Sequence, residues 1–250
     1  MTIGVYGLGR FGAFWAAQLA SRFPVKGYSR NPERRTPLSV ERITAPEGFS
    51  DCDAVFLCNS ISSMDAVCGE LAPVLKPGTL VMDTCSVKMH PIEAMKRNFP
   101  DNISLMGTHP MFGPDSGALS ISGLPIVVVN VRTPKGEYGD WIGKFREMGL
   151  RVLEMTAEEH DREAAYSQGI THFIGRMLNE LPLKDSPMAT TGYRALLEII
   201  RQTCNDSWQL FVDIQRYNPF TDMMRRDLHT GLNRMLDEFD SIKSVGGKNG

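Results

Sequence analysis

The sequence predicts an α/β domain, with a mostly parallel sheet covered by helices, followed by an all-helical domain. Three observations predict it. Short β-branched runs alternate with helical stretches as far as residue 155. A glycine-rich turn, Gly7-Leu8-Gly9-Arg10-Phe11-Gly12, joins the first strand to the first helix. From Thr156 onward the apolar spacing becomes helical and stays so.

Each element has its own signal. Residues 3–6 read as a strand and 11–22 as a helix closed by Pro24. Strands follow at 25–28 and at 54–58, the latter entered from the acidic turn Asp51-Cys52-Asp53. The 64–75 segment has apolar residues at helical spacing and stops at Lys76-Pro77-Gly78. A strand at 79–83, a helix at 91–97, strands at 103–106 and 125–131, a helix at 138–148 and a short strand at 151–155 complete the first domain, 1–155. Thr156 and Glu159 form a capping-box pattern that opens a helix running to about residue 181. Further helices are predicted at 191–203, 207–217 and 220–239, and the tail 244–250 is expected to fray. The second domain, 156–250, has few elements against which to bury its apolar faces. A homodimer formed through it is therefore expected.

Composition narrows the function. The 250 residues carry 27 Lys and Arg against 29 Asp and Glu, a formal charge of −2. That balance argues against nucleic-acid or anionic-membrane partners, which a basic excess usually marks. No apolar run approaches the roughly 18 residues of a membrane span. The five cysteines are scattered and without CxxC spacing, so buried thiols are expected rather than a metal site or disulfides. Met1-Thr2 leads directly into the first strand without a targeting pattern, which makes the cytoplasm the expected compartment.

The glycine turn points to a Rossmann-type dinucleotide site. Gly7 permits the tight turn, Gly9 lets the backbone approach a diphosphate and Gly12 lets helix and strand pack closely. The helix N-terminus then offers N–H groups and partial positive charge to the anion. Leu8, Arg10 and Phe11 belong to the same turn, and Asn59 and Ser60, after the 54–58 strand, are expected on the same edge. An NAD site usually ends its second strand on a carboxylate that accepts from the ribose hydroxyl. Here that position reads Tyr28-Ser29-Arg30-Asn31, with Arg34 nearby. A hydroxyl and guanidinium groups suit a 2′-phosphate, so NADP is the expected cofactor.

Two stretches after later strands carry candidate chemistry. Ser86-Val87-Lys88 follows 79–83, and Gly107-Thr108-His109-Pro110 follows 103–106. Open α/β sheets bind ligands at the C-terminal ends of their strands. His109, expected in a loop between Gly107 and Pro110, suits general acid–base work near neutral pH, or a purely structural role.

The run Thr108-His109-Pro-Met-Phe-Gly-Pro-Asp-Ser-Gly117 resembles the signature of the prephenate/arogenate dehydrogenase family of tyrosine biosynthesis. Glu159-His160-Asp161, Ser167-Gln168 with His172, Gly192-Tyr193-Arg194, Asp206-Ser207-Trp208 and Tyr217-Asn218 resemble its helical-domain motifs, most like the plant-type arogenate dehydrogenases. The resemblance implies oxidative decarboxylation of prephenate or arogenate. His109 matches the family's catalytic histidine, which takes the proton of the substrate's 4-hydroxyl as hydride leaves C4, and Ser86 matches the serine beside it. Gln168 and His172 match substrate-facing positions, the alternative for His172 being a core histidine. Lys88 matches either a carboxylate ligand or a loop support. Arg194 matches the slot for the ring carboxylate, but Glu198 stands where many bacterial relatives place their arginine, and a surface ion pair is the alternative. Asp161 is the candidate for recognising arogenate's ammonium.

Two rival readings use the same fold. A β-hydroxyacid dehydrogenase or imine reductase generally relies on a lysine in its helical part, and the 158–181 segment has none. A non-catalytic NADP-binding sensor has no need of Ser86, His109 and His172 together. With 1–155 and 156–250 both allotted, no fused mutase or regulatory domain is expected.

Overall fold

The computed structural model describes residues 1–246, with side chains through residue 242. Of the tail expected to fray, 247–250 lie outside the described residues and 244–246 form the last turn of a helix. The chain divides into two compact units, Met1–Asp161 and Arg162–Gly250.

The first unit is an eight-stranded sheet in the order β3-β2-β1-β4-β5-β6-β7-β8. Its strands are β1 Ile3–Tyr6, β2 Val25–Tyr28, β3 Glu41–Arg42, β4 Ala54–Leu57, β5 Leu80–Asp83, β6 Ser104–Pro110, β7 Pro125–Arg132 and β8 Arg151–Glu154. All neighbours are parallel except β6 and β7. The helices are α1 Arg10–Ala20, α2 Met64–Leu71, α3 Met89–Asn98 and α4 Lys135–Glu147. Strands β1, β4 and β5 are buried at every position, as continuous apolar runs covered on both faces require. An aromatic column fills the core: Trp15 of α1 meets Phe56 of β4 at 5.7 Å between ring centres, Phe56 meets Trp141 of α4 at 5.7 Å, and Trp141 meets Phe145 at 5.6 Å.

Two local features depart from the sequence reading. Strand β3, only two residues long, carries no periodicity and was not expected. Strand β6 runs on to Pro110, so His109 is a strand residue rather than a loop residue. The cause is tertiary. The antiparallel β7 supplies a partner beyond Met106, pairing His109 with Val127 and Pro110 with Ile126 after a register shift at Leu105/Met106. Register also places the site. Tyr6 pairs with Leu57, Leu57 with Asp83 and Asp83 with Gly107, so the turns after β1, β4 and β5 and the end of β6 share one edge.

The capping box forms as expected. Glu159 accepts from the Thr156 backbone N–H at 2.8 Å, and Thr156 Oγ1 accepts from the Glu159 N–H at 3.2 Å. The helix it opens is not uniform: α5, Ala157–Ala164, passes through a π turn at Ala165–Gly169 into α6, Ile170–Asn179. Then follow α7 Thr191–Asn205, α8 Trp208–Tyr217 and α9 Thr221–Gly246. Within the second unit α6 crosses α7 at Gly175, where a Cβ would lie 2.2 Å from Thr203 Oγ1. Among the described residues no helix is long and apolar enough to cross a membrane.

Candidate active site

At the end of β5, Asp83 collects donors. Its carboxylate accepts from the Cys85 backbone N–H at 2.9 Å, from the Thr108 N–H at 3.3 Å and from Lys88 Nζ. Lys88 Nζ also donates to the Thr108 carbonyl. Both side chains of this ion pair are fully buried. Burial pushes the Asp83 carboxyl upward, while the Lys88 ammonium and the two backbone donors oppose that rise. The pair locks the turn after β5 to the end of β6, next to His109. Of the two roles open to Lys88, the structure places it as a support. Its ammonium is closed in by Asp83 and Thr108, so the substrate-ligand expectation is corrected here. Ser86 lies in the same turn, half-buried between β5 and α3.

His109 is buried and its Nδ1 lies 2.8 Å from His160 Nε2, the rings meeting edge to face. His160 Nδ1 lies 2.8 Å from Asp161 Oδ1. Asp161 in turn accepts the Lys88 backbone N–H at 2.6 Å and the Met89 N–H at 2.9 Å. These are free donors at the start of α3, where a carboxylate also meets the positive end of the helix dipole. Asp161 is fully buried and both its oxygens are engaged. It is therefore an acceptor inside the sheet unit and not the ammonium ligand the resemblance suggested. These bonds also explain why the first unit extends through Asp161 rather than ending at residue 155. Burial, with His160 and the Lys88 charge adding to it, holds the His109 imidazole well below the ordinary histidine range, so it is neutral at physiological pH.

The glycine turn fits a dinucleotide. Gly7 adopts φ of +103°, and a Cβ there would sit 2.7 Å from the Cys58 carbonyl oxygen. A Cβ on Gly12 would lie 1.8 Å from the Gly7 oxygen, whereas one on Gly9 would meet nothing within 4 Å. Two of the three glycines thus make the turn, and Gly9 leaves open the space that a diphosphate needs. No acidic residue stands in the first turn of α1. Asn59 Oδ1, after β4, is buried without a hydrogen-bond partner among the described residues, an acceptor suited to a ligand hydroxyl. Asn59 Nδ2 and Ser60 Oγ both reach Ser63 Oγ at 2.9 Å. Leu8 and Phe11 face inward, Leu8 against Gly27 and Phe11 stacked on Trp15 at 6.2 Å, so any cofactor contact from Leu8 is through backbone. Arg10 pairs with Asp115 of the loop after β6.

After β2, Arg30 and Arg34 are exposed and form no ion pair among the described residues. Their loop is ordered by Arg42 of β3. Its guanidinium donates to the carbonyls of Ser29 at 3.2 Å, Asn31 at 3.2 Å and Arg34 at 3.0 Å, and to Thr36 Oγ1 at 3.2 Å.

In the second unit, Gln168 sits half-buried on the π turn, a distortion frequent at functional sites. His172, two residues into α6, is buried. Its Nε2 lies 3.8 Å from Asp206 Oδ2, and Nδ1 has no hydrogen-bond partner among the described residues. Burial lowers its pKa, Asp206 opposing and Arg176 reinforcing. Arg176, one turn on, donates to the Asp206 carbonyl at 2.5 Å and lies over the rings of Trp208 and Phe211 at 5.5 and 5.7 Å. Arg194 is exposed on α7, lining an open depression of about 870 Å³ with Glu198 and Arg201, which pair with each other at 2.8 Å.

Residues 22–124 match the family model for the prephenate dehydrogenase nucleotide-binding domain, and 177–244 match that for the TYRAAT1-like C-terminal domain. Arogenate dehydrogenase 1, chloroplastic, of Arabidopsis thaliana is 35% identical over 236 residues, 88% of this chain. Arogenate dehydrogenase 2, chloroplastic, of the same plant is 34% identical over 234 residues, again 88%. The chain belongs to the prephenate/arogenate dehydrogenase family.

It spans 36% and 64% of the lengths of those two family members. The fold agrees with solved family structures. Synechocystis arogenate dehydrogenase superposes with a TM-score of 0.71 at 21% identity, covering 97% of this chain and 93% of that one. Prephenate dehydrogenase from A. aeolicus, in complex with hydroxyphenyl propionate and NAD+, gives 0.76 at 18%, covering 100% and 92%. Against this family background, His160, Asp83, Arg42 and Arg176 are the residues that sequence reasoning did not single out. For His160 and Arg176 a signal existed: the one stands inside the Glu159-His160-Asp161 motif, the other one helical turn after His172.

Proposed function

We propose that this chain is an NADP-dependent arogenate/prephenate dehydrogenase that converts arogenate to tyrosine or prephenate to 4-hydroxyphenylpyruvate. The observation that carries the reading is His109. It is a buried, neutral imidazole bonded through Nδ1, at the same sheet edge as the glycine turn. Nε2 is then the basic nitrogen. It takes the proton of the substrate's 4-hydroxyl, and Ser86 is the proposed second contact to that hydroxyl. When bound, the nicotinamide supplies the two-electron acceptor for hydride from C4. The ring carboxylate of the substrate leaves as CO2, and aromatisation makes the step irreversible. A single well-placed base suffices, because orientation and one proton transfer are all the protein must provide. Gln168, His172 and Arg194 are the proposed contacts from the helical unit, Arg194 for the ring carboxylate.

Arg30, with Ser29 and Arg34, is proposed to hold the 2′-phosphate. The test is a rate assay with arogenate and with prephenate, each with NADP and with NAD. Turnover of at least one substrate, faster with NADP, is expected. Arg30→Ala should raise KM for NADP by about 10–100-fold, the loss of one or two charge-assisted hydrogen bonds, and leave KM for NAD nearly unchanged. Equal cofactor preference in both proteins removes the 2′-phosphate role, and no turnover of either substrate removes the function.

A homodimer is the proposed assembly. Leu232, Met235, Leu236, Phe239 and Ile242 of α9 recur at helical spacing and are each 54–60% exposed, an apolar stripe of the kind a second copy covers. Sedimentation equilibrium should show a dimer that Leu236→Lys with Phe239→Lys converts to monomer. A wild-type monomer at micromolar concentration refutes the assembly.

A further inference from the structure

The three-member chain His109–His160–Asp161 has a direction, and hydrogen-bond chemistry sets it. Asp161 accepts two backbone N–H groups from the head of α3, so toward His160 it is an acceptor again. His160 must then carry its proton on Nδ1. A neutral imidazole has one N–H, so His160 Nε2 is a bare acceptor facing His109 Nδ1 at 2.8 Å. His109 must therefore be the donor, with its own proton on Nδ1 and the lone pair on Nε2.

We propose that His160 is a positioning residue that, with Asp161, holds His109 in this tautomer and receives the Nδ1 proton when Nε2 takes one from the substrate. The inference rests on His109 being the base. The substrate O–H bond breaks as an N–H bond forms at His109 Nε2; the Nδ1–H bond of His109 breaks as one forms at His160 Nε2. No electrons are exchanged within the relay. His109 ends neutral in the opposite tautomer, and His160 carries the positive charge 2.8 Å from the Asp161 carboxylate. Left on His109, the charge would be buried and would face the Lys88 ammonium. With product gone, the reverse transfer returns the proton to His109 Nε2 and from there to water.

The ionisable groups around the relay are Asp161 on α5 and the Lys88–Asp83 pair, which joins the head of α3 to the end of β5. Pairing with Asp83 keeps Lys88 from serving as an alternative acceptor.

Imidazole ring 15N NMR of the wild-type protein tests the inference directly and needs no variant to fold. The expected spectrum has the proton of His109 on Nδ1 and a bare Nε2. Asp161→Asn should scramble the His109 tautomer. His160→Gln retains an acceptor for His109 but cannot take up a proton, so kcat should fall about 10–100-fold with KM nearly unchanged. A wild-type proton on His109 Nε2, or a His160→Gln enzyme with wild-type kcat and pH profile, would each overturn the relay. Full activity in His109→Asn would instead overturn the base assignment on which it rests.

Discussion

His109→Asn should lower kcat by about 10²–10⁴-fold, the usual contribution of a positioned general base, while the Kd for NADP stays nearly constant. Asparagine can still hydrogen-bond to His160 but takes no proton, so the site keeps its shape and loses the proposed base. The proposed cofactor contacts come from the turn after β1 and the loop after β2, neither of which His109 supports. Stopped-flow turnover with fluorescence titration of NADP separates the two quantities. An active His109→Asn enzyme would remove the proposed mechanism. The pH profile supplies an independent check. In the proposed role of base His109 must be neutral, and burial disfavours its imidazolium. Its activity should therefore persist as pH falls and decline only below the ordinary histidine value of about 6.5.

Lys88→Met should be the most destabilising single change at the site. It leaves the Asp83 carboxylate fully buried without its counter-charge. Breaking a buried pair in this way costs about 3–5 kcal/mol. At about 2–4 °C per kcal/mol for a unit of this size, the melting temperature should fall by about 6–20 °C. Lys88→Met with Asp83→Leu should recover most of the loss, because it removes both charges and leaves apolar groups in their place. Thermal unfolding of the two proteins decides it. A single variant as stable as wild type would mean that the pair contributes nothing to holding β5 against β6. Activity should fall in the double variant even where stability returns, since Thr108, which precedes His109, loses its contact with Lys88.

Much of this site is legible in the sequence because its parts are local. Gly7, Gly9 and Gly12 act within one turn, and their spacing states what each must do. Thr156 and Glu159 cap a helix across three residues, a pattern that is read directly and that the structure repeats. The absence of a carboxylate after Tyr28 is visible for the same reason. Arg42 is different. It organises the 29–36 loop through carbonyls eight to thirteen positions away and the Thr36 hydroxyl six away, from a two-residue strand that has no periodicity of its own.

What the sequence by itself determined is the alternation of strands and helices, the dinucleotide turn, the switch to helices after Thr156 and the family to which the motifs belong. Those features are set by hydrophobic period, glycine sterics and capping, all of which act over a few residues. Only the tertiary structure decided that His109 lies on a strand, because β7 had to be in place to extend β6. It alone decided that Lys88 is a buried support and that Asp161 turns inward. Their partners stand 5 residues away for Lys88 with Asp83 and 73 for the Lys88 N–H with Asp161. A buried polar group must find its hydrogen bonds wherever the fold brings a partner, and no local pattern encodes where that is.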